Sequence, residues 1–177
     1  DLVSGMELEG MAPDAMLISA KIFSYGGADY PEIMQALEWS CEQGAQISPC
    51  SWGATGAPYE PIRVLIETLM QMYGTIFVFA GGNDGPEPNS IAYPGGDPKP
   101  VCVGSIAVHK PSTNSIAPFS GRGPSMYDDP ITHQKLVKPD IMAPGGVDTE
   151  NWNLTEEMVC AAGLNQTVKC NRGTSMA

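Results

Sequence analysis

What most limits the fold of this chain is an alternation of two hydrophobic periods along it. Residues 14–23, 45–51, 75–80 and 101–108 are short apolar or β-branched runs of strand length, the first carrying Leu17, Ile18, Ile22 and Phe23. Two stretches between them repeat at helical spacing instead. After Pro31, Ile33, Leu37 and Cys41 recur every four residues, with Met34 and Ala36 alongside, until Gly44; after Pro61, Ile62, Leu65, Ile66, Leu69 and Met70 follow the i, i+3, i+4, i+7, i+8 pattern of one helix face until Gly74. Proline in the first turn and glycine after the last mark both helices at each end. Strand, helix, strand in succession requires a parallel sheet with crossover helices, so the chain is α/β: a three-layer, mostly parallel sheet. The 75–80 strand runs directly into Gly81-Gly82-Asn83, a glycine turn at a strand end. Residues 111–146 are rich in Pro, Gly and Ser, with one short strand expected at 136–142. No repeat or linker interrupts the chain, and one domain accounts for it.

Composition narrows the function classes. Nine Lys and Arg against 20 Asp and Glu leave a net charge of −11, which opposes a phosphate-binding surface, so nucleic acid is excluded as a partner. The longest apolar run, 75–80, is far short of the roughly 18 residues that span a bilayer, and no membrane anchor is expected. Nucleotide binding fails on spacing: Gly81-Gly82-Asn83-Asp84-Gly85 and Gly121-Arg122-Gly123 make neither GxGxxG nor GxxxxGK[ST]. The GxSxG elbow of α/β-hydrolases is also absent. The five cysteines form no CxxC pair, so no zinc site is expected, and an odd number leaves at least one thiol free. Cys160 and Cys170 flank a polar, loop-like stretch that closes as a disulfide in an oxidising compartment or stays as two thiols; the sequence leaves both open. Asn153 and Asn165 fit the glycosylation pattern, which matters only in a secreted eukaryotic protein.

Chemistry enters at Gly173-Thr174-Ser175. Small residues before a serine let the backbone turn sharply into a helix and set the hydroxyl, with its own N–H, at the positive helix end. Followed by Met176-Ala177, this stretch resembles the nucleophile motif of the subtilase family. Further stretches resemble that family in its order. Residues 11–15 with the 17–23 strand are similar to the segment after its histidine helix, and Ser51-Trp52-Gly53 to the strand end that pairs with substrate backbone. Ala80-Gly81-Gly82-Asn83 with Gly85 is similar to its oxyanion turn, Tyr93-Pro94-Gly95 through Gly104 to the strand entry beside the S1 pocket, and residues 138–145 to the stretch upstream of the nucleophile. The resemblance implies a serine endopeptidase acting through an acyl-enzyme, with residues 1–177 a partial subtilisin-like peptidase domain. Ser175 would be the nucleophile, and Asn83 with the Ser175 N–H the oxyanion hole. Ser51, Trp52, Gly53, Ala80, Gly81, Gly82 and Ala92 would line the S1 pocket. Polypeptide is the implied substrate and secretion the favoured location. No cofactor is expected; calcium comes from the resemblance alone, with Asp84 and Asp97 as the oxygens to consider.

The departures from the family are as informative. The Asp-Thr/Ser-Gly and His-Gly-Thr motifs of its triad are absent, and the only histidines, His109 and His133, fall where surface residues are expected. The family's aspartate strand lies mid-sheet, between the strands expected at 17–23 and 45–51, so its absence should leave a gap or force a rearranged pairing. The nucleophile helix likewise stops after its first turn. The 177-residue chain is therefore expected to be inactive alone and to self-associate through exposed apolar surface. A parent that keeps the scaffold for peptide binding without an intact triad is the alternative.

Overall fold

Both helices form where the periodicity places them. In the computed structural model, α1 spans Tyr30–Glu42 and buries Ile33, Leu37 and Cys41, and α2 spans Glu60–Tyr73 and buries Ile62, Ile66 and Leu69. Each has proline in its first turn, and α2 ends on Gly74 in the left-handed conformation, whose N–H returns to Met70 O. The structure describes residues 10–24, 27–56, 58–108, 114–129, 132–146, 158–162 and 167–177; for 108, 114, 158–162 and 167–170 it describes the backbone alone. His109, Asn153 and Asn165 lie outside the described residues.

The main sheet contains β1 (Ile47–Cys50), β2 (Ile76–Ala80), β3 (Val101–Val108), β4 (Asn114–Ile116) and β5 (Ile141–Pro144). β1 pairs with β2, β2 with β3 and β3 with β5, all parallel, while β4 runs antiparallel to β3. The register sets Cys50 beside Phe79, and Phe77 and Phe79, both fully buried, share one core cluster with the apolar faces of α1 and α2. Burying a phenylalanine contributes about 1.5–3 kcal/mol, so this layer of helices on sheet holds the central strands in place. On the other face, Ile47 and Ile76 stay about half exposed.

Three expectations are corrected. Residues 17–23 form no strand: the segment is open backbone, with Leu17 92% and Phe23 52% exposed. Among the described residues β1 has β2 as its sole partner and no strand stands beside residues 17–23, so their exposed N–H and C=O groups face water and not a ladder. Ile22 still packs on the core, and a groove of about 500 Å³ runs between residues 20–24 and the Glu32, Ala36 and Trp39 side of α1. The second correction is that the 136–142 strand starts later, at Ile141. Third, the stretch between Cys160 and Cys170 belongs largely to a hairpin, β6 (Met158–Ala162) antiparallel to β7 (Thr167–Asn171). Its register sets Cys160 opposite Lys169 and Cys170 opposite Val159, so the two cysteines are offset by one position.

Candidate active site

The site forms where three strand ends converge on the 173–175 turn. β2 leads into Gly81-Gly82-Asn83, where Gly82 has φ +93° and turns the chain. The left-handed residue is thus Gly82 and not Asn83, which frees the Asn83 side chain from a purely conformational role. β1 leads into Ser51-Trp52-Gly53, and Trp52 packs edge-on against Phe79 with centroids 5.1 Å apart. β5 leads into Gly145, whose carbonyl accepts the Gly173 N–H at 2.8 Å and so suspends the serine turn from the sheet.

At that turn Gly173 has φ +144°, a conformation that side chains rarely adopt. Thr174 is buried and locks the two turns together. Its N–H donates to Asn83 Oδ1 at 2.9 Å, its hydroxyl donates to the same oxygen at 3.1 Å, and its Oγ1 accepts the Gly82 N–H at 3.1 Å. Two donors hold Oδ1, so the amide cannot flip without losing both bonds, and Nδ2 is left as the outward donor. Asn83 Nδ2 and Ser175 N lie 3.3 and 3.7 Å from the point where a Cβ of residue 173 would stand. Neither donates a hydrogen bond among the described residues. Two unengaged N–H donors therefore border the space that glycine leaves beside Ser175, the arrangement an oxyanion requires.

Ser175 itself is half-buried and joined to Ser51 by a reciprocal pair of bonds. Ser175 Oγ donates to Ser51 O, and Ser51 Oγ donates to Ser175 O, each at 3.1 Å. A carbonyl oxygen accepts a hydrogen bond but does not take the proton, so this contact orients the hydroxyl without activating it. His133 is exposed, and its backbone N–H donates to Asp129 O at 2.9 Å. Of the residues expected around an S1 pocket, Gly53, Gly82 and Ala92 meet directly: a Cβ on Gly53 would stand 3.1 Å from Ala92 Cβ, and one on Gly82 2.8 Å from it. Ala92 N donates to Gly81 O at 3.0 Å, and Ala54 and Tyr93 exchange backbone bonds at 3.0 and 2.9 Å. These contacts make one continuous, uncharged wall from Gly53 to Ala92. Thr174 had no assigned role on the sequence; its position beside the nucleophile was the available signal, but its partner is 91 residues away.

The subtilase family profile matches residues 3–177. The chain belongs to the subtilase family. Among curated subtilases it is 28% identical over 166 residues to pyrolysin of Pyrococcus furiosus, covering 78% of this chain and 11% of that protein. It is 28% identical over 158 residues to serine protease AprX of Bacillus subtilis, covering 80% and 34%. A solved psychrophilic protease, S41, superposes with a TM-score of 0.77 at 25% identity over 98% of this chain and 54% of its own, and sphericase shares the fold at 0.76 and 24% identity. The chain thus spans about a third or less of these curated subtilases and about half of the solved ones. No group of three or more His, Cys, Asp or Glu among the described residues could hold a metal ion, and Asp84 and Asp97 belong to none. No described helix is long and apolar enough to cross a membrane.

Proposed function

We propose that the protein is a serine endopeptidase of the subtilisin type and that residues 1–177 are part of its peptidase domain. The observation that carries this reading is the pair of unengaged donors, Asn83 Nδ2 and Ser175 N, beside the Ser175 hydroxyl. In this reading Ser175 Oγ attacks the scissile carbonyl, and the carbonyl oxygen takes up negative charge between the two donors. Thr174 keeps the Asn83 amide turned correctly. Ser51, Trp52, Gly53, Ala80, Gly81, Gly82 and Ala92 hold the P1 side chain of a polypeptide substrate. Attack also needs a base to remove the Ser175 proton, and a donor bond to Ser51 O does not provide one. The 177-residue chain is accordingly inactive by itself, and a base supplied from further sequence completes the site. Exposed Leu17 and Phe23, with Ile47 exposed on β1, support self-association of the chain in isolation.

The reading is tested by fluorophosphonate labelling of the 177-residue chain beside the protein extended on both sides to the length of its relatives. Labelling of the extended protein alone, abolished by Ser175→Ala, is the expected result. Equal labelling of both would show that the short chain supplies its own base. Peptide binding by an extended protein that does not label would favour the alternative of a pseudoprotease, which the carbonyl-bound Ser175 hydroxyl also fits.

A further inference from the structure

Asp97 is 1% exposed, and neither of its carboxylate oxygens has a hydrogen-bond partner among the described residues. An ionised carboxylate placed so deeply is strongly disfavoured unless it is paired or protonated. Its backbone closes a tight turn: Asp97 N donates to Pro94 O at 2.9 Å, and Gly96 N donates to Ala92 O at 3.0 Å. Around it stand Tyr93, whose hydroxyl donates to Tyr59 O at 2.7 Å, and Tyr127, whose buried hydroxyl has no partner among the described residues. The two rings are 6.3 Å apart. From α2 the groups that act on Asp97 are Arg63, Glu60 and Glu67, and from the chain before β5, Lys138. Neither cation donates a hydrogen bond to it. Arg63 is bonded to both Glu60 and Glu67, and Lys138 Nζ is held by Pro100 O and Asp140. The same turn carries Ala92 and Tyr93, which form the wall against Gly53 and Ala54.

We propose that Asp97 is a proton-operated latch: as the neutral acid it stays packed and holds the 94–97 turn shut, and on losing its proton to solvent it loosens that turn and the Ala92-Tyr93 wall with it. That this wall faces substrate rests on the peptidase reading above; the latch itself does not. Burial is the main cause that pushes the Asp97 carboxyl up from 3.8 to about 7, with Arg63 opposing it and Glu67 and Glu60 adding to it. The folded state therefore binds the proton more tightly than the unfolded chain. Stability is full below pH 4, falls as pH rises towards 7, and is flat above. The gap between 3.8 and about 7 makes the unfolding constant rise by up to roughly a thousandfold across that range.

The test is equilibrium unfolding of the protein from pH 4 to 8, with amide hydrogen exchange at Ala54 and Tyr93, the two N–H groups that bond the wall together. Asp97→Asn should remove most of the pH dependence and make the protein more stable than wild type at pH 8. Arg63→Gln, which removes the opposing cation, should move the transition to higher pH. In the wild type, exchange at Ala54 and Tyr93, corrected for intrinsic rates, should be at least tenfold faster at pH 8 than at pH 5. An Asp97→Asn protein that keeps the wild-type pH slope would overturn the proposal. If that variant does not fold, wild-type exchange at the two amides that is unchanged with pH would overturn it. Neither readout involves hydrolysis, so a failure here leaves the peptidase reading standing, and failure of labelling at Ser175 leaves the latch standing.

Discussion

Lys138→Met tests how the serine turn is suspended from the sheet. The Lys138 side chain is 3% exposed, and its ammonium donates to Pro100 O at 2.9 Å and to Asp140 Oδ2 at 2.7 Å. The same Asp140 oxygen accepts the Cys102 N–H at 2.7 Å, so one ammonium and one carboxylate tie the approach to β5 onto the start of β3. Methionine fills most of the aliphatic space but leaves Pro100 O unsatisfied, at about 1–2 kcal/mol. Loss of the ion pair would add about 3 kcal/mol if both charges were buried; Asp140 is 40% exposed, and solvent screening reduces that to about 1–2 kcal/mol. The expected loss is about 2–4 kcal/mol, read as a lower urea midpoint at unchanged slope. A double-mutant cycle with Asp140→Asn should return a coupling of about 1 kcal/mol or more. A Lys138→Met protein within about 0.5 kcal/mol of wild type, or more stable than it, would refute the reasoning. The consequence reaches the site because β5 leads into Gly145, the acceptor for Gly173 N.

Three shorter expectations accompany it. In an active extended protein, Asn83→Ala should lower turnover by roughly 10² to 10³ with little change in KM, a magnitude that itself comes from a subtilisin; a change below tenfold would remove Asn83 from the oxyanion site. The uncharged wall of Gly53, Gly82 and Ala92 gives a basic side chain nothing to pair with, so a peptide-library profile should favour apolar P1 residues, and dominance of Arg would contradict it. The β6–β7 register sets Cys160 and Cys170 one position apart and predicts that they stay unbridged in protein prepared under oxidising conditions; a Cys160–Cys170 disulfide found by peptide mapping would contradict that register.

Where the signal was local, the sequence by itself determined the outcome. The four-residue spacing of Ile33, Leu37 and Cys41 and the prolines and glycines at the helix ends placed α1 and α2 almost to the residue, and the β-branched run at 76–80 placed β2, because period and caps act over a single turn or strand. The family motif named Ser175 and Asn83 as candidates, and it was the fold that set their two turns side by side. Residues 17–23 show the limit: the segment has the composition of a buried strand, yet a strand exists only when a partner completes its hydrogen bonds, and none stands beside it among the described residues. The β6–β7 pair was missed for the converse reason, since the polar residues between its cysteines carry a weak local strand signal and the pairing itself is what makes the ladder. Tertiary structure alone decided that Thr174 holds the Asn83 amide across 91 residues, that the Ser175 hydroxyl rests on a carbonyl 124 residues away, and that the Asp97 carboxylate is buried without a hydrogen-bond partner among the described residues. Each of these depends on which chain segments the sheet brings side by side, a long-range property to which neither residue of a contacting pair testifies alone.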